Sequence, residues 1–308
     1  GHKIDIIHGQ ARLAGPDRVE VVSYSGGKKK GNLRSLQAKA IILACGSEPL
    51  PLPDLAFDGQ HIIGSREALN FKSVPDHLGI VGGGYIGLEL GSVWLRLGAK
   101  VTVIEMLAEI ASTLDGQVGR KLQRILKRQG MTFKMQTRVT GAKVSGKSVK
   151  VNLETKKGNE TLTCHPLLIS VGRRSRTRRL GIEDLGIQTN PATGHLLVDT
   201  SYRTNIASIY AIGDLIPGPM LAHKASAEGI AAVECITGKP GEVNYDALPS
   251  VIYTWPEVAS LIASAHTRLP VPGGPAAWAK PRALSKSSPT KKPTGFWGCT
   301  SSVPGPPT

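Results

Sequence analysis

The apolar residues of this chain fall into two rhythms, and their order predicts an α/β protein. A short apolar run at residues 78–81 breaks into glycines, continues at helical spacing to about Leu97, and resumes at Lys100-Val-Thr-Val-Ile104. Short apolar runs bounded by glycine read as buried strands, and a 3.6-residue recurrence between two of them reads as a helix packed on both. Together they predict a complete βαβ unit. Residues 116–129 repeat the helical rhythm, with Val118, Leu122, Ile125 and Leu126 on one face and Gly130 as the stop.

Elsewhere the rhythm is that of strands. Residues 4–7, 18–22 and 38–44 read as strands separated by lysine- and glycine-rich turns, an antiparallel meander. Pro49, Pro51 and Pro53 form a stiff linker at a domain crossover. Short strands are expected around 132–135, 149–153, 161–164, 167–171, 195–198 and 208–211, and a helix from about Ala222 to Thr237. Residues 265–308 break both rhythms, holding nine of the 21 prolines with abundant Ser, Thr and Gly. Such a segment buries too little apolar surface to offset its ordering entropy, and is expected to be disordered or frame-shifted.

Charge and cysteine usage narrow the function classes. The formal net charge is +15, but six Lys and Arg and no acid follow Glu257, so residues 1–257 carry +9. The clusters at 28–30 and 173–179 lie in turn-like contexts without interleaved aromatics, which favours solvated surface over nucleic-acid binding. No apolar run is long enough for a membrane span, and the N-terminus shows no signal peptide. It starts without Met, as though in mid-strand. Cys45, Cys164, Cys235 and Cys299 form neither CxxC nor a metal-ligand spacing. They fit a reducing compartment and read as small buried apolar residues. No metal site is expected.

The chemistry concentrates in Gly82-Gly83-Gly84-Tyr85-Ile86-Gly87. In a G-x-G-x-x-G turn between strand and helix, Gly82 makes the tight turn, Gly84 admits a pyrophosphate to the backbone, and Gly87 lets helix pack on strand. The amides and dipole at the helix start attract the phosphate charge. Glu105, eighteen residues past Gly87, ends the second strand, where its carboxylate can accept from both ribose hydroxyls. A carboxylate repels a 2′-phosphate, and residues 106–109 offer no arginine to neutralise one, so NAD is expected over NADP.

These pieces, with four further segments, resemble the pyridine nucleotide–disulfide oxidoreductases, and most closely their dihydrolipoyl dehydrogenase branch. The segments are Ala44-Cys45-Gly46-Ser47, Val171-Gly172-Arg173-Arg174, the run from Tyr210 through Asp214 to Met220-Leu221-Ala222-His223-Lys224, and Tyr253-Thr-Trp-Pro-Glu-Val-Ala259. The resemblance covers about residues 1–260. It implies a Rossmann-like fold with two dinucleotide-binding domains, a parallel sheet with an antiparallel meander, incomplete at both ends. Residues 1–60 would belong to a partial FAD-binding domain, 61–174 to the NAD-binding domain, 175–248 to the return into the FAD-binding and central domain, and 249–264 to the start of an interface domain.

The same resemblance implies roles. Ala11, Ala44, Cys45, Gly46, Ser47, Asp214, Met220, Leu221, Ala222 and His223 would contact FAD, Asp214 through a ribityl hydroxyl. Gly82, Gly83, Gly84, Tyr85, Ile86, Gly87, Glu89, Glu105, Val139 and Gly172 would serve NAD, Glu89 near the nicotinamide. From the residues alone, Glu89 is an exposed helix glutamate and Gly213-Asp214 an Asx turn. The implied activity is oxidation of dihydrolipoamide by NAD through FAD, the implied partners a second subunit and the lipoyl domains of 2-oxo acid dehydrogenase complexes, and the compartment bacterial cytoplasm or mitochondrial matrix. Two parts of the family pattern are missing, the C-x4-C redox pair and the C-terminal His–Glu dyad, so no catalytic residue is assigned and turnover by this chain is doubtful. A non-catalytic nucleotide-binding fragment and another NAD-linked flavoprotein reductase remain the alternatives.

Overall fold

The computed structural model describes residues 4–25 and 28–261. The chain opens with an antiparallel meander of β1 (Gln10–Gly15), β2 (Arg18–Ser25) and β3 (Lys28–Gln37). Then come β4 (Ile41–Leu43) and β5 (Ser47–Pro49), short strands on either side of the Gly46 turn. The next stretch holds β6 (Ile62–Ile63), α1 (Ser65–Ala68), β7 (His77–Val81), α2 (Tyr85–Arg96), β8 (Lys100–Ile104), α3 (Gly116–Arg128) and β9 (Thr132–Lys134). A second meander, β10 (Arg138–Ser145), β11 (Ser148–Thr155) and β12 (Gly158–Cys164), leads to β13 (Leu167–Ile169). The remainder comprises β14 (Arg173–Ser175), β15 (Ile209–Ala211), α4 (Ala222–Ile236) and the hairpin β16 (Pro249–Ile252) and β17 (Val258–Leu261).

At the centre of residues 62–169 is a five-stranded parallel sheet in the order β6-β13-β7-β8-β9. Its strands are apolar on both faces because both faces are covered. Leu78, Ile80, Val101, Val103 and Leu168 point to one side and join Leu88, Leu122 and Leu126 from α2 and α3. Val81, Ile104, Leu167 and Ile169 point to the other and pack on Val149, Val151 and Leu153 of the second meander. The period of two in the strands and 3.6 in the helices thus meet at one layer. A separate core gathers Leu13, Ile41, Leu43, Leu196, Ile209, Ala211, Ala231 and Ala232 around the parallel pair β15-β4 and α4.

Four expectations need correction. Residues 4–7 form no strand; Ile4 and Ile6 are each 76% exposed, and an apolar run makes a strand only where a ladder partner exists. The span 38–44 contracts to β4, since only Ile41, Ile42 and Leu43 find partners on β15. Lys28–Gln37, expected in part as a lysine-rich turn, is a full strand, because pairing with β2 overrides weak local propensity. Residues 195–198 make only a single bridge, Leu196 to Thr189. The expected disorder of 265–308 lies outside the described residues.

Cysteine burial is uneven. Cys164 is 3% exposed and lies where a side chain on Gly79 would be, its Sγ 2.5 Å from a Cβ built there. Burial pushes its thiol up to about 12. Cys235 is half-buried, whereas Cys45 is exposed, contrary to the expectation of a buried apolar residue. The thiolate is the reactive form, and burial therefore keeps Cys164 protonated and unreactive at pH 8. Iodoacetamide at pH 8, followed by peptide mass mapping, is expected to label Cys45 in the native protein and Cys164 only after denaturation.

Candidate functional site: a dinucleotide cleft where the sheet order reverses

A cleft of about 690 Å³ opens at the carboxyl ends of β7, β8 and β13. From β7 the chain moves outward to β8 and β9, and then returns to place β13 on the other side of β7. Crossover connections therefore leave in opposite directions from this point, and a crevice forms between them, the usual ligand position in open α/β sheets. Val81, Gly82, Gly84, Glu105, Val139, Ser170, Val171 and Gly172 line it.

The three glycines separate by what a side chain would meet. Gly82 has φ +106°, and a Cβ there would lie 2.5 Å from the carbonyl oxygen of Ser170. At Gly87 a Cβ would lie 2.4 Å from the Gly82 carbonyl oxygen. Both are excluded by backbone that cannot yield. At Gly84 nothing lies within 4 Å. This glycine keeps a space clear at the N-cap of α2, where the first intrahelical bond runs from Leu88 N–H to the Gly84 carbonyl at 3.0 Å. The amides of Tyr85, Ile86 and Gly87 thus precede the helical ladder and present positive dipole ends to that space.

Glu105 is fixed rather than waving in solvent. Its Oε2 accepts from Gly83 N–H at 2.6 Å and its Oε1 from Leu107 N–H at 2.7 Å. A carboxylate offers about four acceptor sites, so lone pairs remain for ribose hydroxyls. The main chain is pinned as well: Glu105 N–H donates to Lys134 O at 2.9 Å, and Thr137 N–H to Glu105 O at 2.9 Å. Thr137, Arg138 and Thr140, which together with Val139 form this wall, escaped the sequence reading apart from Val139; they come from a different strand and carry no motif.

Tyr85, Ile86 and Glu89 stand differently. The Tyr85 hydroxyl accepts from Thr113 and Ser250, each at 3.1 Å, and Ile86 packs against the helix-side core. Glu89 is half-buried, and its Oε1 accepts from Tyr253 N–H at 2.9 Å, tying the β16 end to α2. It is neither the freely exposed helix glutamate of the residue-by-residue reading nor part of the cleft lining.

Of the residues expected around FAD, Ser47 and Asp214 meet at a second place. Ser47, 8% exposed, donates its hydroxyl to Asp214 Oδ2 and accepts from Arg173 Nε at 2.7 Å; Arg173 also donates to the Ser47 carbonyl at 2.8 Å. Ser175 Oγ donates to the Asp214 carbonyl at 2.6 Å. Asp214 is therefore held by side chains from β5 and β14 and does not close the Asx turn that residues alone suggested. Ala44 and Cys45 flank this point, exposed, and Gly46 takes φ +67°. Ala11 lies in β1, opposite Val21 and exposed.

Helix α4 starts at Leu221 without a side-chain cap, so the amides of Ala222, His223 and Lys224 precede the first helical bond, Ala225 N–H to Leu221 O at 3.1 Å. Met220 and Leu221 are half-buried, and His223 Nε2–H donates to the Pro249 carbonyl at 2.9 Å. Beneath them Lys224 and Glu228, both 0% exposed, clamp one residue: Lys224 Nζ donates to Gly213 O at 3.1 Å, and Gly213 N–H to Glu228 Oε2 at 2.7 Å. The pair itself is 2.9 Å apart, and Tyr245 OH donates to Glu228 Oε1 at 2.9 Å. A buried ion pair with its remaining sites filled holds geometry, and loss of one partner costs about 3–5 kcal/mol. The i,i+4 spacing of Lys224 and Glu228 was visible in sequence, but only burial reveals the role.

Residues and space thus fit a dinucleotide at the first place: an open N-cap, free amides and a fixed acid. They fit part of a flavin site at the second, where Asp214 Oδ1 and an uncapped helix start remain available among the described residues. This is the architecture of an α/β oxidoreductase with dinucleotide-binding domains. The pyridine nucleotide-disulphide oxidoreductase description matches residues 1–229, and the chain belongs to that family. It is 42% identical over 262 residues to dihydrolipoyl dehydrogenase 2, mitochondrial, of Arabidopsis thaliana, covering 84% of this chain and 50% of that protein. It is 45% identical over 262 residues to dihydrolipoyl dehydrogenase 3 of Pseudomonas aeruginosa, covering 84% and 55%. Among solved structures, the HOCl-induced flavoprotein disulfide reductase RclA of Escherichia coli superposes with a TM-score of 0.71 at 25% identity, over 83% of this chain and 56% of that one. LpdA of Mycobacterium tuberculosis gives 0.70 at 27%, over 83% and 53%. The chain spans about half the length of the curated relatives it matches.

The glycines make a paired test. Gly84→Ala is expected to leave thermal stability nearly unchanged while weakening NAD binding, since its Cβ enters open space that the pyrophosphate needs. Gly82→Ala is expected to lower the melting temperature outright, through a positive φ and a backbone clash. Equal melting losses in the two variants would contradict this division.

Proposed function

We propose that this chain carries the NAD-binding unit and part of the FAD-binding unit of a dihydrolipoyl dehydrogenase-type oxidoreductase, divided as residues 61–174 for NAD and residues 1–60 with 175–248 for FAD. The observation that supports it most is the cleft itself, with its open N-cap at Gly84 and the carboxylate of Glu105 held by two amides. The names of the curated relatives supply the substrate class. When bound, FAD supplies the electron relay between a dithiol and the nicotinamide.

What this chain's own residues do in that scheme is bind and orient. The α2 amides hold the NAD pyrophosphate, Glu105 accepts from the adenosine ribose, and Val139 and Gly172 wall the cleft. Asp214 takes a ribityl hydroxyl, Ala44, Cys45, Gly46 and Ser47 shape the approach to it, and Met220, Leu221, Ala222 and His223 bring the α4 amides to the flavin. Ala11 contacts the adenine. The family implies a homodimer, the lipoyl domain of a 2-oxo acid dehydrogenase complex as protein partner, and a bacterial cytoplasmic or mitochondrial matrix setting. Among the described residues no helix is long and apolar enough to cross a membrane.

The four cysteines of residues 1–308 contain no C-x4-C pair, so the dithiol step needs thiols these residues do not include. The purified chain is expected to bind NADH, read by enhanced nicotinamide fluorescence, and to prefer it over NADPH. Glu105→Ala is expected to weaken binding by about 1–3 kcal/mol as the ribose hydroxyls lose their acceptor. FAD is expected to dissociate on gel filtration, and dihydrolipoamide-dependent NAD reduction to be absent. NADPH binding as tight as NADH would sink the NAD assignment; co-eluting stoichiometric flavin would sink the division of the FAD site.

A further inference from the structure

The adenosine end of the cleft contains an arginine that no motif announces. Arg138 is the first residue of β10 and lines the cleft beside Thr137, whose N–H donates to the main-chain carbonyl of Glu105 at 2.9 Å. Gln136, with φ +51°, makes the tight turn that brings this strand start against residues 105–107, and its N–H donates to Leu107 O at 3.1 Å. Thr137 is 4% exposed, so the backbone leading into Arg138 is anchored, whereas Arg138 itself is exposed. Among the described residues its guanidinium has no hydrogen-bond or ion-pair partner. Glu154 stands opposite it in the β10–β11 ladder without forming an ion pair. Glu105, meanwhile, is held by amides, with no ion pair to a cation among the described residues. A fixed carboxylate and an arginine without a partner among the described residues therefore line one cleft.

We infer that Arg138 is a specificity-determining residue, the cation that receives the 2′-phosphate of NADP whenever the charge of Glu105 is removed, so that Glu105 alone keeps this cleft selective for NAD. The inference rests on the NAD reading of the cleft. A guanidinium meets phosphate with paired N–H donors, and an arginine near the ribose is how dinucleotide folds accommodate a 2′-phosphate. Glu105 opposes this twice: its charge repels the phosphate, and its two amide bonds keep it from swinging aside. Discrimination would come from a repulsive element set against an attractive one already in place.

The test titrates the purified chain with NAD+, NADP+ and 2′,5′-ADP, comparing the unmutated protein with Glu105→Gln, Arg138→Gln and the double variant. Glu105→Gln is expected to raise the NADP+/NAD+ affinity ratio by about tenfold or more, with binding of 2′,5′-ADP falling steeply as salt is raised. The double variant is expected to lose that gain. Melting curves monitor folding, and Glu105→Ala serves as the second route should Gln disturb the turn. A double variant that binds NADP+ as well as Glu105→Gln alone would overturn the role of Arg138, as would a ratio unmoved by both Glu105 substitutions. Absence of NAD+ binding to the unmutated chain would instead overturn the cofactor reading, and this inference with it.

Discussion

The cleft depends on backbone standing where side chains cannot. At the end of β7, Gly82 lies so close to Ser170, just past β13, that a Cβ would fall 2.5 Å from a carbonyl oxygen. Ser170 in turn donates its N–H to Val81 O at 2.8 Å and its hydroxyl to the same carbonyl at 3.0 Å. This contact joins two strands that are far apart in sequence and adjacent in the sheet. It sets the position of the α2 N-terminus, which sets the direction of the free amides. Everything asked of a bound pyrophosphate follows from it.

The acid at the end of β8 works under the same constraint. Glu105 bridges the glycine turn, through Gly83, and its own following loop, through Leu107. A carboxylate held by two amides has little further freedom to lose, so the ribose contact proposed for it would carry a smaller entropic cost. The second cluster is built on the same plan with different parts: Arg173 and Ser47 orient Asp214, while Lys224 and Glu228 clamp the preceding residue, Gly213. In both places the carboxylate proposed to meet a cofactor is positioned by hydrogen bonds from its neighbours.

The βαβ unit was legible in sequence because its signals are local: the glycine spacing, the helical recurrence behind it and the acid at a strand end all lie within thirty residues. The failures are equally instructive. The isoleucine-rich residues 4–7 form no strand, while the lysine-rich β3 pairs with β2 on both sides of a register shift. A strand is a relation between segments, and local pattern reports only one of them.

What the sequence determined by itself was therefore the glycine turn, the three long helices, the acid at the end of β8 and the family, each written in contiguous residues. Tertiary structure decided which strands exist, which face of the central sheet each side chain enters, and which distant residues share a site. Arg138 beside Glu105, Arg173 behind Asp214 through Ser47, and the buried Lys224–Glu228 pair are products of chain return, visible only once β10, β14 and α4 are in place. The physical reason is range: hydrogen bonds and ion pairs act over a few ångströms, and only folding brings residues separated by tens to more than a hundred positions within that reach.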